Sequence, residues 1–311
     1  MTQQNLSSLL KPNDDSEMLV AGIAYFCLTL PLFPFFFILI KTIYLRNRSS
    51  SNVILKLMNI INSLQLGQTI CHFISGPMIV FPELHSKLHW VIGVIGCILN
   101  IGWVGEFPII TLLAICRILI FTNKIHLKKT PNLVELTLLL LALWTIFIFI
   151  FGSYSQYVIL ATPSWGFNYS LPVMKFFDAQ ELTISFTCLP VTYLAYMFMA
   201  YLIYTKKNIS SSAQSRKNEI MILLQSTFVT FYVTVLITIW HQPMLGIQLV
   251  DMSIRRNQAI VNGCVILHCY VNPSLTLVCN KSIREDCLKL LGYQKMKPRN
   301  SNLSTSAFQR S

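Results

Sequence analysis

The chain has 311 residues, a formal net charge of +12, 54% hydrophobic residues and only 12% charged ones. An ordinary soluble domain carries about 25% charged residues, so half of the usual water-facing charge is missing. That deficit, with the basic residues gathered in short patches beside long apolar runs, excludes a soluble enzyme, a nucleic-acid binder and a disordered chain, and points to a membrane protein.

A hydrocarbon core about 30 Å thick takes about 20 apolar residues as helix. Seven stretches qualify in chain order: roughly 18–43, 53–80, 90–121, 133–160, 181–205, 219–245 and 257–279. Asp14, Asp15 and Glu17 precede the first, where a signal peptide carries basic residues, so it reads as a retained helix. The fold class expected is an all-α membrane protein, a seven-transmembrane helix bundle with a short amphipathic eighth helix. Its parts are an extracellular N-terminus (1–17), the bundle (18–280), a membrane-surface helix (281–292) and a disordered cytoplasmic tail (293–311).

Loop charge sets the orientation. Nineteen of the 24 basic residues fall in the loops after spans one, three and five and in the C-terminal segment. The positive-inside rule then puts the N-terminus outside and the C-terminus in the cytosol, as an odd number of spans requires. Two sequons, at Asn5 and Asn168, lie outside and are candidate N-glycosylation sites. Those at Asn47, Asn208, Asn280 and Asn302 lie inside and should stay unmodified.

Polar residues inside the spans come next. Asn59, Asn62, Gln65, Thr69 and His72 share one face of the second span, which must therefore look into the bundle. Glu106 is an acid deep in the third span, a functional position by default. It reads either as an ionised group balanced by a cation or as a neutral acid hydrogen-bonded to amides. His72, His241 and His268 show no pairing in sequence and read as core histidines. Pro108, Pro190, Pro243 and Pro273 should kink spans three, five, six and seven. Eight of the nine cysteines lie in apolar segments, and none has a spacing for zinc or a disulfide framework. No resident metal or cofactor is expected.

Beyond the seventh span, Ile283, Cys287, Leu288 and Leu291 share one face, opposite Arg284, Glu285, Asp286 and Lys289. That pattern lies on a membrane surface, with Cys287 a candidate for palmitoylation. Ser304, Thr305 and Ser306 in the tail are candidate phosphorylation sites.

Three motifs in order carry a resemblance. The third span ends Ile115-Cys-Arg117-Ile-Leu, and the seventh ends Asn272-Pro273-Ser-Leu-Thr276. Asn280-Lys-Ser-Ile283-Arg-Glu-Asp-Cys287 follows. Together they resemble the rhodopsin-like seven-transmembrane G-protein-coupled receptors. The opening of span six, Glu219-x-x-x-Leu223-Leu224-Gln225, and the short loops are most similar to the nematode-type serpentine chemoreceptors, class T or class X. Cys116 and Ile118 replace the acid and tyrosine that flank the arginine of that superfamily, and Thr276 replaces its last tyrosine. Cys97 has no partner cysteine in 161–180, so the usual disulfide cannot tie a lid over the cavity. Ile266 stands where an opsin has its lysine.

The resemblance implies a chemosensory receptor without enzymatic activity in the plasma membrane. Its partners would be a small-molecule ligand, a heterotrimeric G protein and membrane lipid, with no nucleic acid. Arg117, Trp240, Asn272 and Pro273 would form the switch. Glu106 would take over a second-span charge here replaced by Gln65, with Asn62, Gln65, Asn262, His268 and Asn272 as neighbours and a sodium ion possible beside it. Two other classes compete: a seven-span ligand-gated channel subunit of insect chemoreceptor type, and a small-solute transporter. The charge count opposes the first. The lack of a repeat opposes the second.

Overall fold

The computed structural model describes residues 9–50, 52–126, 130–161, 163–205 and 213–293, with side chains from 220 onward in the last stretch. Span one is two helical pieces, Ser16–Thr29 and Leu32–Ser50, broken at Leu30-Pro31. Span two is Val53–Val80, followed by the short helix Pro82–Lys87. Spans three to seven are His89–Phe121, Asn132–Ser155, Met174–Thr205, Ala213–Trp240 and Arg255–Cys279, and a surface helix occupies Lys281–Leu290. Six of the spans are long and apolar enough to cross a membrane on composition alone.

Span two is the other long helix, and its amides lower its hydropathy. They are not turned to lipid: Asn62, Gln65, Gln68, Thr69 and His72 are all buried. Backbone groups in lipid must be satisfied within a helix, and side-chain amides need partners from other helices. Span two therefore sits centrally, packed on spans one, three and seven. Gly22 and Gly76 let spans one and two meet backbone to backbone, since a Cβ on Gly22 would lie 2.8 Å from the Gly76 carbonyl oxygen. Span four is the opposite case. It buries only Val134, Ile148 and Gly152 and turns leucine, isoleucine and phenylalanine side chains outward, as a lipid-facing helix should.

Four sequence expectations change here. The fourth helix stops at Ser155, not at 160, because Gln156 caps it in the left-handed conformation (φ 53). The chain then forms an antiparallel hairpin of β1 (Val158–Ala161) and β2 (Ser164–Phe167), pairing Val158 with Phe167 and Leu160 with Trp165. Span five starts at Met174, not 181, so Asp178 lies within its helix. Span six ends at Trp240, which leaves Pro243 in the following turn and not at a kink. Pro108, Pro190 and Pro273 do lie inside their helices.

Candidate functional site

Glu106 occupies the centre of the bundle and is buried. Gln65 Nε2 donates to one of its oxygens at 2.7 Å, and Gln68 Nε2 to the other at 3.3 Å. His268 Nε2 lies 3.3 Å away, beneath the edge of the Trp103 ring and stacked on Tyr232. Asn272, just before Pro273, donates to Gln65 Oε1 at 3.4 Å. Of the neighbours expected for Glu106, Gln65 and His268 touch it, and Asn272 acts through Gln65. Asn62 does not reach it: its amide donates to the Met58 carbonyl in its own helix. Asn262 faces a cavity instead. A charged group in low dielectric needs pairing and hydrogen bonds, and Glu106 draws donors from two amides and contacts an imidazole. Among the described residues no cluster of three or more His, Cys, Asp or Glu could hold a metal ion.

A second buried acid, Glu181 of span five, was not visible as such in sequence. Asn100 Nδ2 donates to it at 3.0 Å and Trp103 Nε1 at 3.2 Å. His241 lies between Glu181 and Asp178, 3.4 and 3.5 Å from their oxygens. The histidines expected to be unpaired are thus divided. His241 and His268 each meet a carboxylate, whereas neither nitrogen of His72 has a partner.

Beside Glu181, and linked to Glu106 through Gln68, lies a cavity of about 60 Å³. Leu99, Leu236 and Val265 form apolar walls, Gln68, His72 and Asn262 are polar, and Trp103, Trp240 and Glu181 also border it. The hairpin roofs it with Val158, Trp165 and Phe167. Without a disulfide the roof was expected to be untied, yet packing holds it. Tyr157 stacks on Phe177 (centroids 4.2 Å apart, planes 8° apart) and donates to Asn100 Oδ1 at 2.8 Å. A Cβ on Gly96 would come within 2.7 Å of Val158 and 2.9 Å of Trp165, so the hairpin beds directly on span three. Cys97 is a free thiol buried beneath it.

At the other end of the bundle, Arg117 Nη1 donates to Ser226 Oγ, linking spans three and six. Gln225 donates to Thr276 Oγ1 at 2.9 Å, linking spans six and seven. A hollow of about 260 Å³ opens between Arg46, Arg117, Gln225 and Asn280. The surface helix is capped by Asn280 and docks through Ile283 onto Leu39, Ile43 and Leu55. Arg46 clasps it, donating to Ser282 and Asp286. Cys287 points inward, its sulfur 3.4 Å from Thr42 Oγ1, so acylation there would require the helix to turn. Asn168 lies beyond β2, with Ser170 donating to its Oδ1. Asn5, Asn208, Asn302, Ser304, Thr305, Ser306 and the Glu219 side chain lie outside the described residues.

Residues 8–300 match the family described as serpentine type 7TM GPCR chemoreceptor Srt. The chain belongs to that family. No curated protein matches it. As an Srt chemoreceptor it is a multi-pass membrane protein, and its seven helices and motifs belong to a receptor family and not to an enzyme family. Within this Srt chain, Gln68 was detectable in principle, being three residues from Gln65 on the same helical face. Asp178 and Glu181 were not, because the earlier start of span five decides that they are buried, and nothing local pairs Asn100 with Glu181.

Proposed function

We propose that the protein is a chemosensory G-protein-coupled receptor of the plasma membrane, with its N-terminus outside and its C-terminus in the cytosol. A small molecule binds in the cavity beneath the hairpin. The Arg117 end couples to a heterotrimeric G protein. One observation carries the reading: Gln68 borders the cavity and also donates to Glu106, whose other amide partner, Gln65, accepts from Asn272 beside Pro273. A contact made in the cavity thus has a hydrogen-bonded route to Asn272 and Pro273 of span seven, the kind of contiguous network through which coupling between sites travels. Trp240 borders the same cavity, so span six also senses its contents.

Charge supports the orientation, because the basic loops lie at the Arg117 end and suit an acidic partner or anionic lipid. A channel subunit with a cytosolic N-terminus would need the opposite arrangement. The test is second-messenger recording in cells expressing the chain with an N-terminal tag. Surface staining without permeabilisation and a ligand-evoked, G-protein-dependent response are expected. A current that persists when G proteins are blocked would favour the channel.

A further inference from the structure

The cavity's unpartnered polar atoms define the chemistry of what enters it. Gln68, His72, Trp165 and Asn262 are each at least 95% buried and border the cavity. Gln68 Oε1, both ring nitrogens of His72, the indole Nε1 of Trp165 and the amide Nδ2 of Asn262 have no hydrogen-bond partner among the described residues. A buried polar atom without a partner costs about 1–3 kcal/mol, and four residues around one small space share that cost. Their capacities are mixed. The Trp165 indole and Asn262 Nδ2 only donate, Gln68 Oε1 only accepts, and neutral imidazole does one of each.

Charge narrows the choice further. Among the described residues no lysine or arginine borders the cavity, so a carboxylate or phosphate ligand would find no such cation there. Glu181, the acid on its wall, already accepts from Asn100 and Trp103 and lies beside His241, so it is not an open site for an ammonium ion. Besides the amides of Asn100 and Asn262 and the backbone of Gly166, the remaining walls are leucine, valine, phenylalanine and tryptophan.

We propose that this cavity is a site for a small uncharged molecule with a compact apolar body and a hydroxyl group, which donates to Gln68 or His72 and accepts from Trp165 or Asn262. The proposal rests on the receptor reading above for its consequence but not for binding itself. A ketone of the same shape can accept from Trp165 or Asn262 but cannot donate, so Gln68 Oε1 stays unpaired and binding weakens.

The test uses the full-length receptor in lipid nanodiscs and four matched probes: isopropanol, acetone, isopropylamine and isobutyrate. Binding is followed by saturation-transfer NMR, and G-protein nucleotide exchange is measured on the same samples. Isopropanol should bind best, with acetone weaker by roughly tenfold, the worth of about one hydrogen bond. The amine and the acid should not compete. His72→Phe should weaken isopropanol about tenfold while keeping the ring's bulk, and Trp165→Phe, in the roof, provides a second variant if the first reaches the surface poorly. Preferred binding of the amine or acid, equal isopropanol binding by both well-expressed variants, or no binding by any probe would overturn the proposal. Selective isopropanol binding without any nucleotide exchange would leave the site standing and overturn the receptor reading instead.

Discussion

His268 Nε2 lies 3.3 Å from the Glu106 carboxylate, and the contact closes 162 residues of chain between two buried side chains. It places an imidazole where the sequence left room for a sodium ion. Breaking a buried pair costs more than the pair contributes, because the survivor stays buried and unpaired.

Glu106→Leu should therefore destabilise the protein by about 3 kcal/mol, seen as a lower melting temperature in detergent and poor surface delivery. Glu106→Gln keeps the shape but turns an NH₂ toward one of the donors now facing the carboxylate, a cost of about 1–2 kcal/mol, and should alter resting signalling. Wild-type resting activity should be the same at low and high sodium. A sodium-dependent shift that Glu106→Gln removes would put a cation beside Glu106 after all.

Arg117→Ala should abolish ligand-evoked signalling while surface expression holds. Ser226→Ala should do the opposite and raise resting activity several-fold, because the hydrogen bond to Arg117 joins spans three and six and such charged bonds contribute about 1.5 kcal/mol or more. Basal second-messenger levels normalised to surface receptor give the readout. Normal signalling by Arg117→Ala would reduce the arginine to a snorkelling anchor.

The hairpin roof depends on the absence of a side chain at position 96. Gly96→Ala inserts a methyl group against Val158 and Trp165, an overpacking cost of about 1–3 kcal/mol. We expect a lower melting temperature together with weaker response to any ligand of the cavity. Unchanged melting and potency would mean that the hairpin does not bed on span three.

Glycosidase treatment should increase the gel mobility of the wild-type protein. Asn168→Gln should remove part of that shift, and the double change with Asn5→Gln all of it. A shift that survives both changes would place one of the sequons at Asn47, Asn208, Asn280 or Asn302 outside and invert the orientation.

Much of this molecule was legible in order. A helix in lipid satisfies its own backbone, so hydropathy and length alone mark where one can stand. Loop charge, the amide face of span two and the apolar face of Ile283 and Cys287 are equally local patterns, set by spacings of three and four residues. What the sequence could not decide was which of those buried groups meet. Glu106 has no local signal for His268, nor Glu181 for Asn100, because each pair is brought together by helices distant in the chain. The hairpin was hidden for a related reason: Val158-Ile-Leu-Ala161 continues the apolar run of the helix before it, and only the left-handed turn at Gln156 and the space left by Gly96 make it part of a roof. Apolar patterning selects a side chain's environment, and packing between helices selects its partner.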